Sequence, residues 1–116
     1  MAKRRWKIRL SAAAEADFRA IVLWRAEHFG VEQAHRYRTA IVAALRELAD
    51  GLDTMGTRDR AELGRKLRSL HVARRWRRGR HVILFAAGEG ARIDIVRILH
   101  DSMDLARHLP PEREEE

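Results

Sequence analysis

Two apolar segments near the C-terminus constrain the fold more than any other feature of the chain. Residues 81–87 (HVILFAA) and 92–99 (RIDIVRIL) are rich in β-branched and aliphatic side chains, and Gly88-Glu89-Gly90 lies between them. This pattern predicts two strands joined by a tight hairpin turn. Both strands have apolar residues on both faces, so we expect both faces of the sheet to be covered there.

Shorter periodic patterns predict the elements that precede these strands. Residues 5–10 alternate basic and apolar side chains, which is the period of a half-buried strand. Ser11 is typical of a helix N-cap, and we expect this first helix to end near residue 28, before Gly30. A second helix carries an apolar stripe at helical spacing, formed by Ala34, Tyr37, Ile41, Ala44, Leu45, Leu48 and Leu52. Because the connection is so short, the two helices must form an antiparallel hairpin.

The remaining segments complete an α+β domain. Residues 53–66 predict an exposed loop, with or without one helical turn at 60–63, and residues 67–73 predict a strand. Residues 103–109 predict a short amphipathic helix that stops at the two prolines after it. The expected architecture is an N-terminal strand and an antiparallel helical hairpin packed on a mainly antiparallel four-stranded sheet, followed by a short C-terminal helix.

The chain is strongly basic, with 24 Lys and Arg against 17 Asp and Glu and a formal net charge of +7. We expect a single domain over residues 1–111 and a disordered acidic tail over residues 112–116. The tail has four Glu and one Arg, a net −3, so residues 1–111 carry +10. Such a charge on a small domain favours an anionic partner: nucleic acid, an enzyme bound to nucleic acid, or an acidic protein.

Composition also excludes several classes of protein. The absence of cysteine excludes disulfides and thiolate metal sites. No apolar run approaches the ~18 residues of a membrane span, and no signal-peptide core follows the basic N-terminus. We therefore expect a cytoplasmic protein without a membrane partner. No glycine-rich phosphate loop or Rossmann fingerprint is present, which argues against an ordinary metabolic enzyme.

Arginines and histidines near the strand ends are the candidate functional groups. The run 74–80 holds five arginines around Trp76, which suits phosphate contact and base stacking or, alternatively, a solvated hairpin loop. If Arg80 and His100 converge, they could perform acid–base work and stabilise charge in RNA cleavage. The only acid within the three C-terminal strands is Asp94, so no partner base is evident.

Two further patterns bear on ligands and partners. His100, Asp104 and His108 would share one face only if the segment were wholly helical. Since His100 is expected to precede the helix, we expect no metal site, and we expect no other cofactor. Trp24 lies off the main stripe of the first helix, which makes it a candidate anchor for a partner protein.

These segments together resemble the RelE/ParE toxin superfamily of type II toxin–antitoxin systems, over residues ~5–109. The final segment is similar to the ParE-like branch in particular. The segments that carry the resemblance are 11–18 (SAAAEADF), 29–34 (FGVEQA), 67–70 (LRSL), 80–83 (RHVI) and 96–104 (VRILHDSMD).

The resemblance implies a cognate antitoxin that wraps the chain and neutralises it. The ParE-like branch implies inhibition of DNA gyrase by binding; the alternative, RelE-like, is ribosome-dependent cleavage of mRNA by Arg80, Arg97 and His100. Some nucleases of that branch carry a tyrosine near the C-terminus. Here Tyr37 is the only tyrosine and belongs to the second helix, which favours gyrase inhibition. Target contacts are expected from Arg68, Arg74, Arg75, Trp76, Arg77, Arg78, Arg80, His81, Arg97 and His100. Antitoxin contacts are expected from Trp24, Phe29, Leu84, Ile95 and Leu99.

Overall fold

A computed structural model describes residues 5–64, 66–73 and 79–109 of the chain. Within these residues the fold consists of two helices and five strands. In chain order they are β1 (Lys7–Leu10), α1 (Ala12–Phe29), α2 (Val31–Glu47), β2 (Thr57–Asp59), β3 (Arg68–His71), β4 (His81–Ala87) and β5 (Arg92–His100). Short 3-10 turns follow α2, β2 and β5, at Leu48–Asp50, Ala61–Leu63 and Leu105–His108.

The strands form one sheet in the order β1-β5-β4-β3-β2. Only β1 and β5 run parallel, and the other neighbours are antiparallel. The α+β class, the helical hairpin and the mainly antiparallel sheet are therefore confirmed. None of the described helices is both long and apolar enough to cross a membrane.

Two details of the predicted architecture are wrong. The sheet has five strands rather than four, because Thr57–Asp59 pairs with β3 inside the segment predicted as a loop. The C-terminal segment forms only the 3-10 turn Leu105–His108 instead of a helix over 103–109. The helical turn expected at 60–63 is present as Ala61–Leu63.

The helices cover one face of the sheet and build the main core there. The apolar stripe of α2 packs against the inward-facing residues of β4 and β5, among them Phe85 and Ile95. On the opposite face, a smaller cluster of Val82, Leu84 and Leu99 is covered by leucines, Leu63, Leu105 and Leu109. Both faces of β4 are thus covered, as its sequence predicted, and the second cover is supplied by the chain itself.

Ser11 and Gly30 determine where α1 begins and ends. The Ser11 hydroxyl accepts a hydrogen bond from the Ala14 N–H at 3.0 Å and donates to the Val96 carbonyl at 2.9 Å. Gly30 has a φ of +93°, a conformation that favours glycine, and its N–H caps the Ala26 carbonyl. The resulting antiparallel hairpin brings the C-terminal end of α1 and the N-terminal half of α2 over the ends of β4 and β5.

Candidate functional site

A cluster of ionisable side chains lies where β3 and β5 end and β4 begins. His81 and His100 are cross-strand neighbours, and their rings lie edge to face with centroids 5.4 Å apart. His71 ends β3, and Asp101 directly follows β5. The antiparallel register therefore brings Arg80, His81 and His100 together, as their positions near the strand ends suggested.

Tyr37 of α2 reaches this cluster from the helical layer. Its hydroxyl lies 2.6 Å from Nδ1 of His81, and its oxygen accepts the Arg80 backbone N–H at 3.2 Å. Burial, with the nearby His100 and Arg25, lowers the pKa of His81 to about 4. Burial raises the pKa of Tyr37 above its ordinary value. Near pH 7 the imidazole is neutral and the phenol protonated, so we assign the hydroxyl as donor to Nδ1, with the ring hydrogen on Nε2.

Asp101 organises the outer part of the cluster. Its carboxylate pairs with Nε2 of His71 at 2.9 Å and accepts a hydrogen bond from Nε of Arg80 at 3.2 Å. The bond to His71, followed by that to Arg80, holds the pKa of Asp101 below its usual range. Nδ1 of His100 lies 3.6 Å from the same carboxylate and 2.7 Å from Oγ of Ser102. The charges of this cluster are therefore largely satisfied by one another.

An open groove of ≈ 610 Å³ runs from this cluster along α1. His81, His100 and Arg80 line one end, and Trp24 and Phe29 line the other. Trp24 is 50% exposed and Phe29 57% exposed, with their rings in edge contact at 5.6 Å. Residues that the sequence assigned to two different partners, the antitoxin and the target, thus line a single groove.

Arg97 and Arg68 lie outside this cluster. Arg97 donates through Nε and Nη2 to both carboxylate oxygens of Asp17, at 2.7 and 2.8 Å, and through Nη1 to the His108 carbonyl. Arg68 donates to Thr57 at the opposite end of β3. The structure therefore does not bring Arg97 to His100 as a catalytic partner, and it separates Arg68 from Arg80.

Three of the five expected antitoxin contacts are inaccessible in this structure. Leu84, Ile95 and Leu99 are buried within the two apolar clusters of the domain itself. The helices cover one of these strand faces, and leucines that include Leu105 and Leu109 cover the other. Trp24 and Phe29 remain exposed.

Other predicted residues have different outcomes. Arg74, Arg75, Trp76, Arg77 and Arg78, like the tail 112–116, lie outside the described residues. Within the described ranges, no group of three or more His, Cys, Asp or Glu side chains could hold a metal ion. The shared helical face that His100, Asp104 and His108 would need does not form, because only Leu105–His108 is helical there.

Sequence reasoning did not place Tyr37 and His71 in the cluster, and it placed Asp101 beside His100 without identifying its partners. Tyr37 was assigned to the core stripe, and it is indeed only 4% exposed. The overlooked signal is that a tyrosine in such a stripe carries a hydroxyl that must find a partner when buried. Asp101 directly follows His100, so its position at the strand end was available, but its partners depend on the three-strand register.

The chain matches known proteins over most of its length. Residues 8–105 match the model of a family described as "ParE toxin of type II toxin-antitoxin system, parDE". Toxin ParE1 of Caulobacter vibrioides is 35% identical over 101 residues, covering 87% of this chain and 95% of that protein. Toxin ParE1 of Mycobacterium tuberculosis H37Rv is 34% identical over 102 residues, covering 86% and 94%.

A solved structure has the same fold. A chain of the "Chromosomal ParDE TA system from P. aeruginosa" aligns with a TM-score of 0.67 at 23% identity. The alignment covers 84% of this chain and 97% of that one. The helical hairpin packed on a mainly antiparallel sheet is therefore a known arrangement.

Proposed function

This chain belongs to the ParE toxin family of type II toxin–antitoxin systems, and on that premise we propose that it inhibits DNA gyrase by binding and that a cognate antitoxin neutralises it. We favour inhibition by binding over catalysis because the candidate catalytic side chains are already bonded to other residues of the domain. Arg97 is engaged by Asp17, Arg80 by Asp101, and His100 by Ser102. A general base needs a free lone pair and a pKa near the working pH. His81, the neighbour of His100, has a pKa of about 4, which is too low for that role.

Exposed apolar residues support the antitoxin half of the proposal. Leu23, Trp24, Phe29 and Val31 surround the turn of the helical hairpin, each at least half exposed. Contiguous apolar surface of this kind marks interaction sites on small soluble domains. A second polypeptide that covers this surface would also cover the adjacent groove.

One observation favours the alternative, a ribosome-dependent mRNA nuclease. His81, His100 and Arg80 converge, and Tyr37 touches His81 although it comes from a distant helix. The lack of a tyrosine near the C-terminus argued against a nuclease. Tyr37, which is 4% exposed, nevertheless brings a tyrosine hydroxyl to this cluster. Cleavage would require His100 to act on the 2′-hydroxyl, and the carboxylate of Asp101, 3.6 Å from its Nδ1, is already bonded to His71 and Arg80.

Two assays on the purified protein separate these functions. In the first, DNA supercoiling by purified gyrase is followed with increasing toxin, with and without the polypeptide encoded beside it. In the second, a transcript on translating ribosomes is examined for cuts. The proposal predicts blocked supercoiling, relief by the neighbouring polypeptide and intact transcripts. Cut transcripts with normal supercoiling would replace it with the nuclease.

A further inference from the structure

Arg25 differs from the other half-buried arginines of the domain. Its guanidinium carbon lies 3.8 Å from the centroid of the Tyr37 ring and 5.8 Å from that of Phe29. Arg60, Arg92 and Arg97 each donate to a carboxylate. Across the described ranges, by contrast, Arg25 has ring contacts and neither an ion pair nor a hydrogen bond to an acceptor.

Contact with the face of the Tyr37 ring holds the planar guanidinium of Arg25 in position. The N–H donors of a guanidinium lie in its plane and point outward from its edge. Tyr37 itself is immobilised by its bonds to His81 and Arg80, so the platform under Arg25 is rigid. A pre-positioned, partly desolvated cation with unused donors suits an anion that can accept two parallel hydrogen bonds.

The surroundings of Arg25 indicate what else the ligand must carry. The groove wall beside it is apolar and exposed: Trp24 at 50%, Phe29 at 57% and Met103 at 42%. Among the described residues that line the groove, the other arginine is Arg80, which is already paired with Asp101. A polynucleotide would need further free cations along the groove and would meet the negative charge of Asp101. A single carboxylate between large apolar side chains fits better.

We propose that this groove is the receptor for a segment of the antitoxin in which one Asp or Glu is flanked by large apolar side chains, with Arg25 as the carboxylate-binding residue. Naming the antitoxin as the source rests on the proposed function, whereas the ligand chemistry rests on the groove alone. A segment bound there would cover Arg80, His81 and His100. The antitoxin would then neutralise the toxin by occupying the surface that meets the target.

The probe for the ligand chemistry is indole-3-acetate, a carboxylate attached to an aromatic ring. It is titrated up to about 20 mM into the isotope-labelled full chain while amide chemical shifts are followed, since ligands of this size bind in the millimolar range. Indole-3-acetamide is the neutral match, and inorganic phosphate and a short single-stranded RNA test the other anions. We expect indole-3-acetate to shift the amide signals of residues that line the groove. The neutral amide should bind at least about fivefold more weakly.

Variants of α1 assign the effect to Arg25. Arg25→Gln should weaken indole-3-acetate binding at least about fivefold, to the level of the neutral amide. Arg19→Gln removes the same charge from an exposed site outside the groove, and should leave binding within about twofold. The amide spectrum of each variant shows whether the fold is retained, and Arg25→Lys serves as a second variant if Arg25→Gln perturbs it.

Several results would overturn the proposal. These are no shift at the highest concentration, equal binding of acid and amide, equal binding by Arg25→Gln, or Arg25-dependent binding of phosphate or RNA in preference to the carboxylate. A separate titration tests whether the antitoxin is the occupant of the groove. If it is, indole-3-acetate should not bind the purified toxin–antitoxin complex. Equal binding to the complex would exclude the antitoxin as occupant. A failure to inhibit gyrase would contradict the proposed function and leave these titrations unchanged.

Discussion

The Tyr37 hydroxyl lies 2.6 Å from Nδ1 of His81, although 44 positions separate the two residues in the chain. This bond joins the core stripe of α2 to the first residue of β4. The Tyr37 oxygen also accepts the backbone N–H of Arg80. The Tyr37 side chain therefore joins the helical layer to the start of β4, and its ring is also the surface on which Arg25 lies.

Removing the Tyr37 hydroxyl should destabilise the domain. Tyr37→Phe leaves Nδ1 of His81 and the Arg80 N–H without their partner, which should lower the free energy of unfolding by about 1–3 kcal/mol. Urea denaturation followed by circular dichroism measures this change. Thr39→Ala, which removes a hydroxyl from the exposed side of the same helix, is the control and should change it by less than about 0.5 kcal/mol. Equal effects would show that the Tyr37 bond adds no stability.

Gly79 should not tolerate a methyl group. A Cβ built there would lie 2.6 Å from Cε1 and from the hydroxyl oxygen of Tyr37, whose ring is buried and cannot withdraw. Gly79→Ala should therefore cost about 1–3 kcal/mol of stability through overpacking. Gly88→Ala is the matched control, because the atoms nearest its new Cβ belong to the side chains of Arg92 and Asp94, which can move towards solvent more easily than a buried ring. A Gly79→Ala variant as stable as Gly88→Ala would contradict the close packing described here.

His81 should make stability depend on pH in a defined window. An unfolded histidine has its ordinary pKa near 6.5, whereas burial lowers the pKa of folded His81 to about 4. Between these values the unfolded chain binds a proton that the folded chain does not, so stability must fall as the pH drops from about 6.5 to about 4. Allowing for the partial exposure of the ring, we expect a loss of about 1–2 kcal/mol. Asp101, with a lowered pKa, adds to the loss only below about pH 4.

Denaturation midpoints at a series of pH values test this dependence. His81→Asn keeps an acceptor near the position of Nδ1 and removes the titration, so its stability should fall less steeply between pH 6.5 and 4. His35→Gln, which removes an exposed histidine of α2, should keep the wild-type slope. A wild-type slope in His81→Asn would mean that another group titrates in this window.

Much of the fold follows from the sequence, because periodicity determines which side of each element is buried. The stripe from Ala34 to Leu52 and the two apolar strands predicted the hairpin and the covered sheet, and they placed His81 and His100 at strand ends. β2 could not be predicted in this way, since Thr57–Asp59 is three polar residues long and becomes a strand by pairing with β3. Residues 103–109 are too few to form a stable helix from local propensity, and only Leu105–His108 becomes a 3-10 turn.

Side-chain partners were harder to predict than elements. Asp17 lies 80 positions from Arg97, and no local pattern indicates that α1 would bring them together. β1 ends at Leu10, so the next part of the β5 edge lacks a strand partner; Asp17 accepts the Ile98 N–H there. The pairing of Arg97 with Asp17 therefore depends on the tertiary position of α1, and the sequence alone left Arg97 among the candidates for target binding.

The Arg97–Asp17 pair should be important for stability. Its side chains are 23% and 14% exposed, so Arg97→Ala leaves a largely covered carboxylate without its cation. We expect a loss of about 2–4 kcal/mol in the free energy of unfolding. Arg107→Ala removes a comparable pair with Asp104 that is 83% and 64% exposed, and should cost less than about 0.5 kcal/mol. Similar losses in the two variants would contradict a structural role for Arg97.

The central claim is that the protein inhibits gyrase by binding, without catalysis. The most direct test compares the inhibition of purified gyrase by the wild-type protein and by His100→Ala. His100 is the side chain on which RNA cleavage would depend, whereas a binding inhibitor uses it as one contact among several. We predict that both proteins block supercoiling, with half-inhibition concentrations within about fivefold of each other, or about 1 kcal/mol. Loss of inhibition in His100→Ala alone, with its amide spectrum unchanged, or normal supercoiling with either protein would contradict the claim.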